Sequence, residues 1–129
     1  MFAEEIVINR DDATGFAIDL DPLLPHRGGG GNLVLPAEAA SGYYLLCLVN
    51  KMIVEHQSYQ HLQCGSRLEV SWLKATKLGE KLRVAIQWDD RPQINGADTY
   101  KRDTQVEVSN TAKEIVLRAS MVHHMAMEF

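Results

Sequence analysis

The longest apolar segment of the chain, residues 35–55, constrains the fold most. After Pro36 it contains no proline, and its only glycine is Gly42. Every side chain from residue 43 to residue 49 is apolar or aromatic, so a helix here has almost no polar face. Such a helix is stable only when other parts of the protein surround it. The rest of the chain must therefore wrap around residues 35–55.

The second half of the chain has the pattern of an antiparallel sheet. In residues 81–88, apolar side chains at even positions alternate with more polar ones at odd positions, which predicts a half-buried strand. Together with residues 66–76 and the turn at Gly79, this strand is predicted to form a hairpin. Residues 99–109 and 114–126 continue the sheet as a meander.

Two loops and an edge follow from this reading. Pro92, Asn95 and Gly96 mark a loop before strand 99–109, and residues 110–113 mark a tight turn after it. Strand 99–109 is rich in Thr, Tyr and Val, so an unpaired edge there would favour pairing with a second sheet.

The first part of the chain is predicted to form a short hairpin. Residues 5–9 and 15–20 flank a polar turn at 11–14, and the alternation in the second segment favours a strand. A short hairpin, one enclosed helix and a long antiparallel meander make an α+β fold. No repeat or linker interrupts the pattern, so residues 1–129 are predicted to form a single domain.

Composition and charge exclude several classes of function. The chain has 13 Lys plus Arg and 17 Asp plus Glu, a formal net charge of −4, and no basic patch that would indicate nucleic-acid binding. Its acidic start does not resemble a secretory signal, and its apolar run is too short to span a membrane. Two cysteines without a Cys-x-x-Cys motif, and no metal-ligand spacing among the histidines, predict no metal and no cofactor. We therefore expect a cytoplasmic protein without a nucleic-acid or membrane partner.

A glycine-rich loop marks the candidate site. Gly29, Gly30 and Gly31 lie in a run of four glycines, followed by Asn32, directly before the predicted helix. Glycines allow a ligand to approach the backbone closely, and N–H groups at a helix start attract negative charge. Glu38 falls in the first turn of the predicted helix, where its carboxylate would lie beside these donors. The same position suits an acid that only caps the helix and complements its dipole.

The order of these elements resembles the hot-dog fold, a curved antiparallel sheet wrapped around one long central helix. The resemblance covers nearly the whole chain, and the strand, glycine turn and strand at residues 68–84 and the pattern at residues 106–119 are similar to phrases of that family. It implies a homodimer or a dimer of dimers, with the active site between subunits.

The helix entry resembles small acyl-CoA thioesterases of the phenylacetyl and hydroxybenzoyl types. These carry His-Gly-Gly at the junction and an acid nine residues after the His; here Gly29 replaces the His and Glu38 lies nine residues later. The resemblance implies hydrolysis of an acyl-CoA or acyl carrier protein thioester. Glu38 would activate water or attack the carbonyl, and an N–H of Gly31 or Asn32 would stabilise the oxyanion.

Other residues are assigned to substrate contact. Gly29 and Gly30 would approach the substrate through the loop backbone, and Ser41 would orient a water molecule or pack against a strand. Lys74 belongs to a basic group near Gly79 that is either a solvated tip or a contact for the phosphates of CoA.

Two further functions remain open at this stage. Hydroxyacyl-ACP dehydratases of the same fold pair a loop His with a helix Glu, and His26 lies twelve residues before Glu38. A dehydratase would use His26 in catalysis, whereas the thioesterase interpretation makes it an exposed or supporting residue. Because the junction His is replaced, a non-catalytic acyl-binding module is the other alternative. Whether Glu38 faces an open tunnel distinguishes the module from an enzyme.

Overall fold

The computed structural model describes residues 2–32, 34–56, 59–88, 93–94 and 99–127. The loop predicted at Pro92, Asn95 and Gly96 lies outside them. The elements in chain order are β1 (Phe2–Val7), α1 (Arg10–Leu20), a short 3₁₀ helix (Leu24–Arg27), α2 (Gly42–Glu55), β2 (Tyr59–Trp72), β3 (Lys81–Trp88), β4 (Gln93–Ile94), β5 (Thr99–Asn110) and β6 (Ile115–Met127).

A curved antiparallel sheet holds the long helix α2 against its inner face, which confirms the predicted α+β class. The strand order is β1-β3-β5-β6-β2, and the short β4 pairs with β5. Strand β5 therefore has neighbours on both sides, so the prediction of an edge at residues 99–109 was wrong. The ends of this strand order are β1 and β2.

The core forms where the helix meets the sheet. Leu45, Val49 and Ile53 recur every four residues on α2, so they lie on one face of the helix, and all three are buried. Alternate residues of the strands, such as Val84 in β3 and Val108 in β5, are buried in the same cluster. The apolar helix is thus covered by the alternating strands, as its composition requires.

The predicted N-terminal hairpin is wrong in its second half, because residues 10–20 form helix α1. The side chain of Asn9 accepts a hydrogen bond from the N–H of Asp12 at 2.9 Å, and acidic residues occupy the first turn. Both features stabilise a helix start. Ala13 and Ala17 are buried four residues apart, whereas Ile18 is exposed, so the apolar pattern has the helical period.

Strands β2 and β3 do not form the predicted hairpin. They lie far apart in the sheet, where β2 pairs with β6 and β3 pairs with β1 and β5. The connection between them runs past the entry of α2: the N–H of Ala40 bonds to the carbonyl of Thr76 at 2.7 Å, and Ala39 pairs with Lys77. Residues 73–80 therefore cross from one side of the sheet to the other and form one wall of the entry to α2.

Helix α2 begins at Gly42 rather than near residue 35, so Glu38 does not lie in its first turn. Ser41 caps the helix, with its side chain accepting from the N–H of Tyr44. Glu38 has a φ of +57°, a left-handed backbone that cannot continue a right-handed helix. Residues 34–41 are consequently a loop, with no helix dipole at Glu38.

Candidate active site

A short loop after α1 brings two titratable side chains to the entry of α2. Asp21 ends α1, and its N–H bonds back to the carbonyl of Ala17. The chain then turns into the 3₁₀ helix at residues 24–27, where Pro25 occupies an early position that favours helix initiation. His26 lies in this turn and is only 6% exposed.

The imidazole of His26 has a defined orientation. Its Nδ1 lies 2.6 Å from the carbonyl oxygen of Ala39, and since a carbonyl only accepts, Nδ1 carries the proton and donates. Nε2 then lies 3.6 Å from Oδ2 of Asp21. With Nδ1 as the donor, Nε2 of the neutral imidazole is an acceptor that faces the carboxylate.

Ser41 joins this pair to the helix. Its hydroxyl donates to Oδ2 of Asp21 at 2.8 Å. The hydroxyl oxygen of Ser41 also accepts from the N–H of Tyr44 at 3.4 Å, which caps the helix. The carboxylate of Asp21 therefore lies at the N-terminal end of α2, where the helix dipole favours negative charge. Ser41 is fully buried, so this connection is shielded from solvent.

The Asp21–His26 pair opens into a cleft of about 510 Å³. Backbone N–H groups at a helix start have no carbonyl partner within the helix, and Gly42 and Tyr43 supply two of them at this cleft. The remaining lining is mostly apolar and comprises Leu23, Val34, Leu35, Ala40, Leu45, Trp72, Leu73, Lys74, Ala75 and Thr76. The cleft thus combines an acid–base pair, hydrogen-bond donors and an apolar wall, a combination typical of binding sites.

Glu38 has a different environment. Its two carboxylate oxygens accept from the guanidinium of Arg10, each at 3.1 Å, and both side chains are about half exposed. The hydrogen bonds and the charge of Arg10 lower the pKa of Glu38. Its backbone is held as well, with its N–H bonded to the carbonyl of Gly29 and its carbonyl accepting from Leu78. Glu38 does not lie among the described residues that line the cleft.

The glycine-rich loop is packed on itself. A Cβ on Gly29 would lie 2.4 Å from a methyl of Leu24, and a Cβ on Gly31 would lie 2.7 Å from the nitrogen of Ala37. The N–H of Asn32 bonds to the carbonyl of Leu35 at 2.8 Å, so it is already used within the loop. The glycines, including Gly30, are absent from the described cleft lining. Close packing of the loop backbone explains the glycines at positions 29 and 31, whereas a Cβ on Gly30 would meet nothing within 4 Å.

Lys74 lies at the cleft and forms an ion pair with Glu114 across the sheet edge. Within the described part of the chain, no group of three or more His, Cys, Asp or Glu side chains is arranged to hold a metal ion. Among those same residues, no helix is long and apolar enough to cross a membrane.

Of the residues chosen from sequence, His26 and Lys74 line the cleft and Ser41 is buried behind it, bonded to Asp21. The described lining contains neither Glu38 nor Asn32, and none of the three glycines chosen with them. Sequence reasoning missed Asp21. The signal was available, since Asp21 precedes His26 by five residues in a segment with two prolines. Prolines restrict the backbone, so this short separation indicated that the two residues could lie near each other.

Comparison with solved structures identifies the fold. An R-hydratase from Pseudomonas aeruginosa in its unliganded form is 18% identical with a TM-score of 0.70, covering 99% of this chain and 80% of its own. A MaoC-like dehydratase from Rhodospirillum rubrum is 21% identical with a TM-score of 0.70, covering 99% and 91%. This chain has the hot-dog fold. Neither a family model nor a curated protein matches the sequence.

A second kind of hot-dog protein is also similar. A hypothetical thioesterase from Streptococcus pneumoniae TIGR4, solved with coenzyme A, is 20% identical with a TM-score of 0.52 and covers 75% of this chain and 70% of its own. The hot-dog helix of the present chain is α2, and the Asp21–His26 pair lies at its N-terminal end. The sequence-based recognition of the fold is therefore confirmed.

Proposed function

We propose that the cleft binds an acyl thioester and that Asp21 and His26 catalyse the reversible addition of water to its α,β double bond. The main support is the distance of 3.6 Å between Nε2 of His26 and Oδ2 of Asp21, at the start of α2. With Nδ1 donating to Ala39, these are two facing acceptors, and a water molecule can donate one hydrogen to each. The pair can therefore position and deprotonate a water molecule.

The chemistry follows from the positions of the groups. The oxygen of the bound water forms a bond to the β carbon, and one of its protons passes to His26 or Asp21. A proton from the same pair goes to the α carbon, which completes hydration; the reverse sequence removes water. Negative charge develops on the thioester oxygen during the reaction, and the N–H groups of Gly42 and Tyr43 are placed to stabilise it.

The apolar lining supports an acyl substrate. Side chains such as Leu23, Val34 and Leu73 give the cleft walls that exclude bulk water and favour a hydrocarbon chain. Lys74 supplies a cation at the cleft, suited to the phosphates of CoA or of a carrier protein arm. Proteins of the same fold include an R-hydratase, a MaoC-like dehydratase and a thioesterase solved with coenzyme A.

Thioester hydrolysis is the second candidate, because the same pair can direct water at the carbonyl carbon instead of the β carbon. The match to the thioesterase solved with coenzyme A favours it, although that match covers less of the chain than the hydratase and dehydratase matches do. In both reactions the acid–base work falls to Asp21 and His26 rather than to Glu38. A binding module without turnover would show thioester binding and neither reaction.

A homodimer is part of the proposal. Apolar side chains are exposed at the cleft, among them Tyr43 at 59% and Leu73 at 52%, and strand β2 stands at one end of the strand order beside them. A second copy would cover this surface and the strand edge. Light scattering is expected to show a dimer or a dimer of dimers, and a monomer would contradict a shared site. We propose that the protein is a single cytoplasmic domain. Its substrates would be thioesters of CoA or of acyl carrier protein.

The test follows two products from one substrate. A panel of trans-2-enoyl-CoA thioesters is incubated with wild-type protein, the loss of the conjugated double bond reports hydration, and free thiol reports hydrolysis. His26→Asn retains a donor near the position of Nδ1 but removes Nε2, so turnover should fall about 10²–10⁴-fold. Hydration without thiol supports the first proposal, and thiol release with the double bond intact supports the second. Full activity of a folded His26→Asn protein would overturn both.

A further inference from the structure

Trp72 lies against the start of α2 in the same cleft. It is the last residue of β2, paired with Leu117 of β6, and its indole meets the ring of Tyr43 edge to face, with centroids 5.2 Å apart. The side chain is 41% exposed, and it lines the cleft together with Gly42, Asp21 and His26.

The indole nitrogen approaches Gly42 closely. A Cβ placed on Gly42 would lie 2.5 Å from Nε1 of Trp72 and 2.7 Å from its Cδ1. Adding one carbon–carbon bond of about 1.5 Å, Nε1 lies within roughly 4 Å of Cα of Gly42. A side chain at this position would therefore have to displace the indole, because the face of the ring around its nitrogen lies over Gly42.

Two kinds of hydrogen-bond donor are thus neighbours. The backbone N–H of Gly42 has no carbonyl partner within the helix, and the indole N–H of Trp72 only donates. In the described part of the chain, no acceptor bonds to the indole N–H, and the ring is open to solvent. An oxygen accepting two hydrogen bonds of about 2.9 Å can bridge donors nearly 6 Å apart. One carbonyl oxygen can therefore accept from both.

We propose that the indole N–H of Trp72 is a second donor to the thioester carbonyl oxygen, beside the backbone N–H groups at the start of α2. This rests on the proposed binding of an acyl thioester at the Asp21–His26 pair. The donor stabilises the charge that develops on this oxygen, whichever carbon the water attacks. Trp72 is then a catalytic residue rather than only a wall of the cleft.

The competing role is packing. A ring that only lines the cleft would affect substrate binding through its apolar surface, and phenylalanine would replace it well. A donor to the developing oxyanion acts mainly on the rate, because the oxygen gains charge as the reaction proceeds. The two roles are separated by whether kcat or KM changes when the ring is kept and the N–H is removed.

The main variant is Trp72→Phe, with Trp88→Phe as the matched control. The chain has two tryptophans, and Trp88 lies in β3 against Phe2, away from the cleft lining. Trp72→Phe is expected to lower kcat by about 10²-fold, as for loss of one oxyanion donor, with KM changed only a few-fold. Trp88→Phe is expected to retain wild-type kcat. Wild-type kcat in folded Trp72→Phe protein would overturn the assignment.

A binding measurement tests the same hydrogen bond without turnover. A cinnamoyl-CoA thioester bound to wild-type protein should show a red-shifted absorption band, because hydrogen bonds to its carbonyl polarise the conjugated system. The shift should be smaller with Trp72→Phe and unchanged with Trp88→Phe. Equal shifts in all three bound proteins would overturn the assignment.

Gly42→Ala tests the same hydrogen bond in a second way, since the added methyl must displace the indole. It should reduce the red shift and kcat while the indole is still present. Combined with Trp72→Phe, it should add little beyond the single changes, since both remove the same contact. Fully additive losses would overturn the proposed pairing.

The outcomes also separate this inference from the proposed function. If wild-type protein binds thioesters with a Trp72-dependent red shift but neither hydrates nor hydrolyses them, the donor assignment stands in a binding role and the proposed reaction fails. If wild-type protein turns over substrate and Trp72→Phe matches it, only the donor assignment fails. If no thioester binds, both fail.

Discussion

Two neighbouring loops each place a carboxylate near the entry of α2, and their environments differ. The loop after α1 holds Asp21 against His26 and Ser41, at the edge of an apolar cleft. The glycine-rich loop holds Glu38 in a two-point ion pair with Arg10, about half exposed to solvent. Asp21 faces an imidazole and a helix N-terminus, whereas Glu38 faces the guanidinium of Arg10, which is always charged.

This difference shows how partner and location decide the role of an acid. A carboxylate neutralised by a guanidinium is held ionised and is a poor base, since the hydrogen bonds and charge of Arg10 lower the pKa of Glu38. Asp21 instead faces Nε2 of an imidazole whose other nitrogen is already bonded to Ala39. We therefore propose catalysis by the first loop and a structural role for the second.

The largest expected effect is at Asp21. Asp21→Asn keeps an oxygen that can accept from Ser41 but removes the negative charge beside His26, so turnover should fall about 10²–10⁴-fold. The measurement is kcat with the enoyl-CoA substrate that wild-type protein uses best. Asp19→Asn, an exposed change on the same helix, is the matched control and should retain full turnover. If a folded Asp21→Asn protein kept more than a tenth of wild-type turnover, Asp21 would not be the catalytic acid and the two loops would not differ in role.

The next effect tests the packing of the glycine-rich loop. Gly31→Ala places a methyl 2.7 Å from the nitrogen of Ala37 and 2.8 Å from the carbonyl of Leu35, and backbone atoms cannot yield easily. The free energy of unfolding should fall by about 1–3 kcal/mol in chemical denaturation.

Gly30→Ala is the matched control for this change, because a Cβ there meets nothing within 4 Å. Its unfolding free energy should equal or slightly exceed that of wild type, since alanine restricts the unfolded chain. Equal losses at both glycines would mean that the loop is not packed as described.

The smallest expected effect is at Glu38. Glu38→Gln should leave turnover within about threefold of wild type, far from the loss expected for a catalytic acid. It should also remove a small, pH-dependent stabilisation, because exposed ion pairs contribute little. If turnover fell as far as with Asp21→Asn, Glu38 would also take part in catalysis, and the two loops would not differ in role.

The pH dependence has a definite sign. The folded pKa of Glu38 lies below its ordinary value of 4.5, so the ion pair stabilises the protein above that pH and the stabilisation is lost as pH falls through the folded pKa. The difference in melting temperature between wild type and Glu38→Gln should therefore be largest near neutral pH and shrink below pH 4.5. A difference that grows on acidification would contradict the ion pair.

Elements with strong periodicity were predictable. Strand 81–88 matches β3 at both ends, and strands 99–109 and 114–126 match β5 and β6 within one residue, because alternation along a half-buried strand is set locally. Helix α1 was missed because its apolar residues also fit a period of two. Its start at Asn9, followed by two acids, was the better signal.

Partners across the sheet were less predictable. The turn at Gly79 suggested that β2 and β3 pair directly, yet β2 pairs with β6. A short connection favours a hairpin only when nothing else binds it, and here its backbone bonds to Ala40 and Glu38 at the entry of α2. The predicted helix start failed for a related reason, since an apolar pattern does not show where the backbone at Glu38 turns left-handed.

By itself, the sequence determined that an apolar helix must be enclosed by alternating strands, because local composition and periodicity decide which faces leave water. It also singled out His26 and Ser41. Only the tertiary structure decided that Asp21 meets His26, that Glu38 is bound by Arg10, and that Trp72 covers Gly42. The Glu38–Arg10 and Trp72–Gly42 contacts join residues 28 and 30 positions apart, so they depend on how the elements pack, which no local pattern records.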